Sequence, residues 1–163
     1  MIRRLLTLTF LTGTLAVSGA VWSYDSSLAE GYAKLFAPVK GAEASKALNV
    51  IPADAFVNGV KAGEPMVALD VRTPVEMSIF TAALPGSLSI PLDELFTPTN
   101  LNRLPGDQKI VVLCATGARA MVAGTALRHI GFENVYIVKG GFKGLADYLD
   151  PKTANEPLKP NKP

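Results

Sequence analysis

Two strongly apolar runs stand out along the chain, Met66-Val67-Ala68-Leu69-Asp70 and Lys109-Ile110-Val111-Val112-Leu113. Each is five residues long and nearly unbroken, the pattern of a strand buried on both faces of a parallel sheet rather than of a half-exposed strand. Leu48 to Ile51, Ser87 to Ile90 and Val135 to Val138 are shorter runs of the same kind. Between them the period lengthens. Pro52 to Ala62 predicts a helix with Ala55, Phe56 and Val60 inward and Gly63 as its stop. Thr73-Pro74-Val75-Glu76 reads as a helix start, with Thr73 as N-cap, Pro74 at the first helical position and Glu76 closing a capping box. Residues 92–104 hold loop and one or two helical turns. A helix with Val122, Ala123, Ala126, Leu127 and Ile130 on its apolar face is expected to end at Gly131, and a last helix follows Gly140-Gly141 to about Leu149. Strands alternating with helices predict an α/β domain, a mostly parallel central sheet flanked by helices on both faces.

The two ends have different patterns. Met1-Ile2-Arg3-Arg4 is basic, Leu5 to Val17 carries no charge, and Ser18-Gly19-Ala20 supplies small residues for a signal peptidase. Residues 1–23 therefore read as a signal peptide cleaved after Ala20 or Ser23, which implies export and a periplasmic destination. The alternative is an uncleaved segment that anchors the protein to the membrane. Residues 24–47 form a mildly helical extension that Pro38 interrupts, either packed on the domain or acting as a spacer. Residues 48–149 make the domain, and residues 150–163 read as a disordered tail rich in proline and lysine. At 163 residues and 48% hydrophobic content, one domain with a core is expected.

Charge and composition then exclude several functions. Without residues 1–23 the chain keeps 14 basic residues against 14 acidic ones, so no basic stripe argues for nucleic acid. One cysteine and one histidine cannot build a zinc site, and no cofactor is called for. His129 lies more than two helical turns past the cysteine and reads as a surface residue rather than its base.

The candidate chemistry lies in Cys114-Ala115-Thr116-Gly117-Ala118-Arg119, between a strand and a helix start. The small residues let backbone N-H groups converge on the sulfur as an anion nest. With the helix N-terminus and Arg119 close by, a thiolate with lowered pKa is expected. The competing reading makes Cys114 a small buried hydrophobe at a strand end. Asp70, Arg72 and Glu76 cluster at the preceding strand-to-helix corner, where Arg72 reads as an internal ion-pair partner that supports the site structurally.

Four ordered stretches together resemble a single-domain rhodanese: Leu69 to Glu76, Leu84 to Pro91, Cys114 to Arg119, and Gly131 to Val135 followed by Gly140-Gly141. The resemblance covers about residues 48–149. It implies that Cys114 takes a sulfane sulfur from a donor such as thiosulfate, carries it as a persulfide held by the loop N-H groups of residues 115–119, and passes it to cyanide, a thiol or a protein acceptor. Ala82-Ala83 depart from a usual Gly-His pair, Ala120 from a hydroxyl residue, and Leu145 from a common tryptophan. The four residues between Cys114 and Arg119 are one fewer than in the similar phosphatase loop, which favours sulfur over phosphate chemistry. A rhodanese-like binding, sulfur-carrier or redox-sensing module with little turnover is the remaining alternative.

Overall fold

A computed structural model describes residues 23–157. The chain runs α1 (Ser26–Phe36), a 3-10 turn (Gly41–Glu43), α2 (Ala44–Ala47), β1 (Val50–Ile51), α3 (Ala53–Lys61), β2 (Met66–Asp70) and α4 (Pro74–Ile79). It continues through β3 (Leu88–Ser89), α5 (Leu92–Leu95), α6 (Pro98–Leu101), β4 (Lys109–Leu113), α7 (Ala118–His129), β5 (Val135–Val138), α8 (Gly141–Tyr148) and α9 (Pro151–Asn155). The five strands form one sheet in the order β1-β5-β4-β2-β3, and every pairing is parallel. The two strongest apolar runs become its central pair, β2 and β4, in register from Met66 opposite Lys109 to Asp70 opposite Leu113.

Alternation along those strands feeds two cores. Leu69, Val71, Ile110, Val112 and Ile137 face Ala120, Ala123 and Leu127 of α7. Met66, Ala68, Val111, Leu113 and Val138 face Phe56 and Val57 of α3 and Leu145 of α8. Both faces of the sheet are therefore covered, as a continuous apolar strand pattern requires.

Several sequence expectations need correction or refinement. In α3 Phe56 is inward as expected and Val60 half-buried, but Ala55 is exposed and Val57 and Gly59 take the buried face. The buried stripe of α7 is Ala120, Ala123, Gly124 and Leu127, while Val122 and Ile130 are exposed. Gly124 sits where an added Cβ would meet the Ile137 side chain at 2.7 Å, so the helix lies close on β5 with small residues inward. The tail is not disordered from its start. Asp150 caps α9 by accepting the Thr153 N-H at 2.6 Å, and Lys61 Nζ donates to the carbonyls of Thr153 and Glu156 at 2.7 and 3.0 Å. The extension packs on the domain, because Tyr32 of α1 stacks on His129 with ring centroids 3.9 Å apart. His129 is consequently half-buried rather than free at the surface. The expected signal segment, apart from Ser23, and residues 158–163 of the tail lie outside the described residues.

Candidate active site

Asp70 and Leu113 end adjacent parallel strands, so the corners that follow them lie side by side at the carboxyl edge of the sheet. Cys114 begins the second corner. Its residue is fully buried and belongs to the α7-side core, so the small-hydrophobe description holds for its packing. Its hydrogen bonds go further. The N-H of Gly117 points at Cys114 Sγ from 3.1 Å and the N-H of Ala120 from 3.4 Å. Gly117 is the N-cap of α7 and has no side chain to cap with, so the sulfur takes the place of a capping oxygen for the first turn. Donors arranged this way favour negative charge on the sulfur.

The loop is docked from behind by α8. Phe142 and Lys143 donate their N-H groups to the carbonyls of Cys114 and Ala115 at 2.9 and 3.0 Å. Gly141 makes this approach possible: its φ is +57°, and an added Cβ would collide with the Cys114 carbonyl oxygen. Gly117, at φ +95°, turns the loop into α7. Gly140-Gly141 were read in the sequence as a helix lead-in and as part of the family resemblance, and their contact with the loop was not legible there.

The other predicted site residues arrange into two separate ion pairs. Arg72 is 3% exposed and binds the buried Asp70 through Nε and Nη2, at 2.7 Å for the shortest contact, and also donates to the Phe80 carbonyl. Its guanidinium lies 4.0 Å from the Phe142 ring centroid and 4.4 Å from that of Phe80. Arg72 therefore pairs with Asp70 alone of its two neighbouring carboxylates. Glu76 completes the Thr73 capping box and receives both Nη atoms of Arg119 at 2.7 Å. That fork holds the Glu76 carboxyl well below the usual carboxylate range, with the Thr73 N-H and hydroxyl adding to it. The Arg119 pKa is raised, chiefly by the Glu76 hydrogen bonds, with burial opposing and Cys114 adding a smaller favourable part. Arg119 thus ties the cysteine loop to α4. Ala115 and Glu76 also line a pocket with Ile79, Phe80, Phe142 and Ala146, of which the last four were not singled out in the sequence.

The Rhodanese-like domain family matches residues 53–147. A probable adenylyltransferase/sulfurtransferase of Mycobacterium tuberculosis is 29% identical over 110 residues, covering 68% of this chain and 27% of that protein. The chain thus spans about a quarter of the length of that relative. A mitochondrial thiosulfate sulfurtransferase of Saccharomyces cerevisiae is 33% identical over 89 residues, covering 52% of this chain and 60% of that protein. A sulfurtransferase of Allochromatium vinosum is 27% identical over 109 residues, or 67% of this chain and 98% of that protein. Among solved structures, a rhodanese-related protein of Thermoplasma volcanium aligns with TM-score 0.52 at 31% identity, over 61% of this chain and 91% of its own.

Proposed function

The chain belongs to the rhodanese-like domain family, and on that premise we propose that it is a sulfurtransferase with Cys114 as its nucleophile. The observation that carries this reading is the pair of N-H donors, Gly117 and Ala120, aimed at Cys114 Sγ. A thiolate held there attacks the outer sulfur of a sulfane donor such as thiosulfate. A bond forms between the two sulfurs, the donor's sulfur–sulfur bond breaks, and its electron pair leaves with sulfite. The product is a Cys114 persulfide whose terminal sulfur carries the charge, and the loop N-H groups stabilise that charge. No second cysteine exists in the chain to resolve it as a disulfide, so the sulfur leaves to an external acceptor, either cyanide, a thiol or a protein thiol.

The test is intact-mass spectrometry of reduced protein given thiosulfate, beside a thiosulfate:cyanide assay. One added sulfur atom on Cys114, removed by cyanide or dithiothreitol and absent in Cys114→Ser, is the expected result. An unchanged mass with several sulfane donors, in protein whose thiol is shown to be reactive, replaces the sulfurtransferase by a binding module. We propose in addition that the protein is exported, on the basic start, uncharged run and small-residue site of residues 1–23.

A further inference from the structure

The surface beside the cysteine loop is apolar, and the cations around it are committed. Arg119 gives both terminal nitrogens to Glu76, Arg72 is buried against Asp70, and Lys143 Nζ lies 2.6 Å from Asp147 Oδ2. The N-H groups of the loop can hold the reacting sulfur's charge, but the rest of a substrate meets hydrocarbon. The pocket next to Ala115, about 380 Å³, shares Phe80, Phe142 and Ala146 with a second groove of about 480 Å³. That groove runs between Phe56 and Val60 of α3 and Leu145 and Leu149 at α8, beside Ala82 and Ala83. Three of these lining residues, Ala82, Ala83 and Leu145, are positions where the sequence departs from the family pattern. Alanines leave the groove open, and a larger side chain at 145 would enter it. Lys61 is the charged side chain among the lining residues, and its ammonium is already bonded to two α9 carbonyls. The volume suits an organic molecule and far exceeds what cyanide needs.

We propose that this groove holds the apolar chain of an organic thiol that takes the sulfur from Cys114. The proposal rests on the sulfur-transfer reading above. The lining that the groove shares with the pocket at Ala115, next in the chain to Cys114, the absence of an uncommitted cation among the described lining residues, and the volume select this occupant over an inorganic anion. In the step, the acceptor thiolate attacks the outer sulfur of the Cys114 persulfide. A new sulfur–sulfur bond forms on the acceptor, the bond within the enzyme persulfide breaks, and its electron pair returns to Cys114 as thiolate. Charge is conserved, and no oxidant or reductant is consumed.

Two measurements on the full chain test this. The first uses n-alkyl methanethiosulfonates, which convert the free thiol to a mixed disulfide and expel methanesulfinate, so it needs no persulfide. A buried methylene is worth about fourfold, so the octyl-to-ethyl rate ratio at Cys114 should exceed that at glutathione by at least about tenfold. Ala146→Trp, at the junction of the two cavities, and Ala83→Trp, on an exposed segment of the wall, should each bring the ratio back to the glutathione value. The second measurement loads Cys114 with thiosulfate and follows discharge to ethanethiol and octanethiol, expecting the same preference. Persulfide that forms but discharges without regard to chain length, with a reagent ratio equal to glutathione's, overturns the groove and leaves sulfur transfer standing. Failure to form persulfide overturns both. A chain-length preference seen only at concentrations where the protein dimerises assigns the groove to a second copy and also overturns the proposal.

Discussion

Arg119 is the side chain whose behaviour the ion pairs decide. A free arginine beside a thiolate would attract an anionic donor as a point charge, and lysine could replace it. Here both Nη atoms are held by one carboxylate, a planar fork that an ammonium cannot reproduce. Arg119 is therefore a positioning residue for the loop. Arg119→Lys is expected to slow persulfide formation about as much as Arg119→Ala, by roughly 10–100-fold, the scale of an ångström-level misplacement. The loss should fall on the rate constant at saturating thiosulfate; a loss confined to KM would instead return Arg119 to donor binding. The pH dependence follows from the partner. The folded-state pKa of Glu76 lies below its unfolded value, so its contribution to stability is complete above about pH 4.3 and is lost as pH falls further. Urea midpoints of the wild type and Glu76→Gln should converge between pH 5 and pH 2, and curves that stay parallel would show that the pair does not form.

At the scale of elements, the cysteine loop is clamped between two corners, α4 ahead of it and α8 behind. Gly141→Ala should open the rear clamp, because alanine at φ +57° costs about 1–2 kcal/mol and its Cβ occupies the place of the Cys114 carbonyl. Lowered thermal stability together with loss of persulfide formation is the expected pair of results; full activity would show that α8 does not set the loop. Removing the buried Arg72 by Arg72→Ala leaves Asp70 charged and unpaired at 1% exposure, which should cost about 3–5 kcal/mol in urea unfolding. The capping box that starts α4 was legible in the sequence, since it is local and Thr73, Pro74 and Glu76 specify it within four residues, but the Arg119–Glu76 pair that makes α4 a clamp joins residues 43 apart and was not. The rear clamp was not, because Phe142 N-H to Cys114 carbonyl joins residues far apart in the chain and leaves only two glycines as its trace. The same reason explains the misread face of α7. Three of its four buried positions, Ala120, Ala123 and Gly124, are alanine or glycine and carry little hydrophobic signal, whereas the bulkier Val122 and Ile130 point outward and Gly124 makes the close approach to β5.

For the molecule as a whole, α7 separates the extension from the chemistry. Cys114 sits at its N-terminal end, whereas Tyr32 of α1 stacks on His129 at its C-terminal end. Eleven residues of rise at 1.5 Å each put these ends about 16 Å apart. Tyr32, where α1 stacks on α7, therefore lies at the end of α7 away from the cysteine loop. Two consequences follow for the proposed signal segment. Cleavage after Ala20 or after Ser23 leaves Asp25 and its bonds to the N-H groups of Ser27 and Leu28 intact, so both products should fold alike. Persulfide formation by the processed protein should also match that of the full chain within about twofold, since the described groups that hold the loop, on Glu76, Gly117, Ala120, Phe142 and Lys143, all follow the cut in the chain. Intact mass of the exported protein identifies the cleavage point, and Trp22, the sole tryptophan, gives an independent reading: indole fluorescence survives cleavage after Ala20 and is lost after Ser23. Recovery of residues 1–20 still attached in the membrane fraction would overturn cleavage and make the segment an anchor. In that case, with the loop held by Glu76, Phe142 and Lys143, the anchored form should transfer sulfur as fast as the processed one, and a slower anchored form would show that the leader reaches the site.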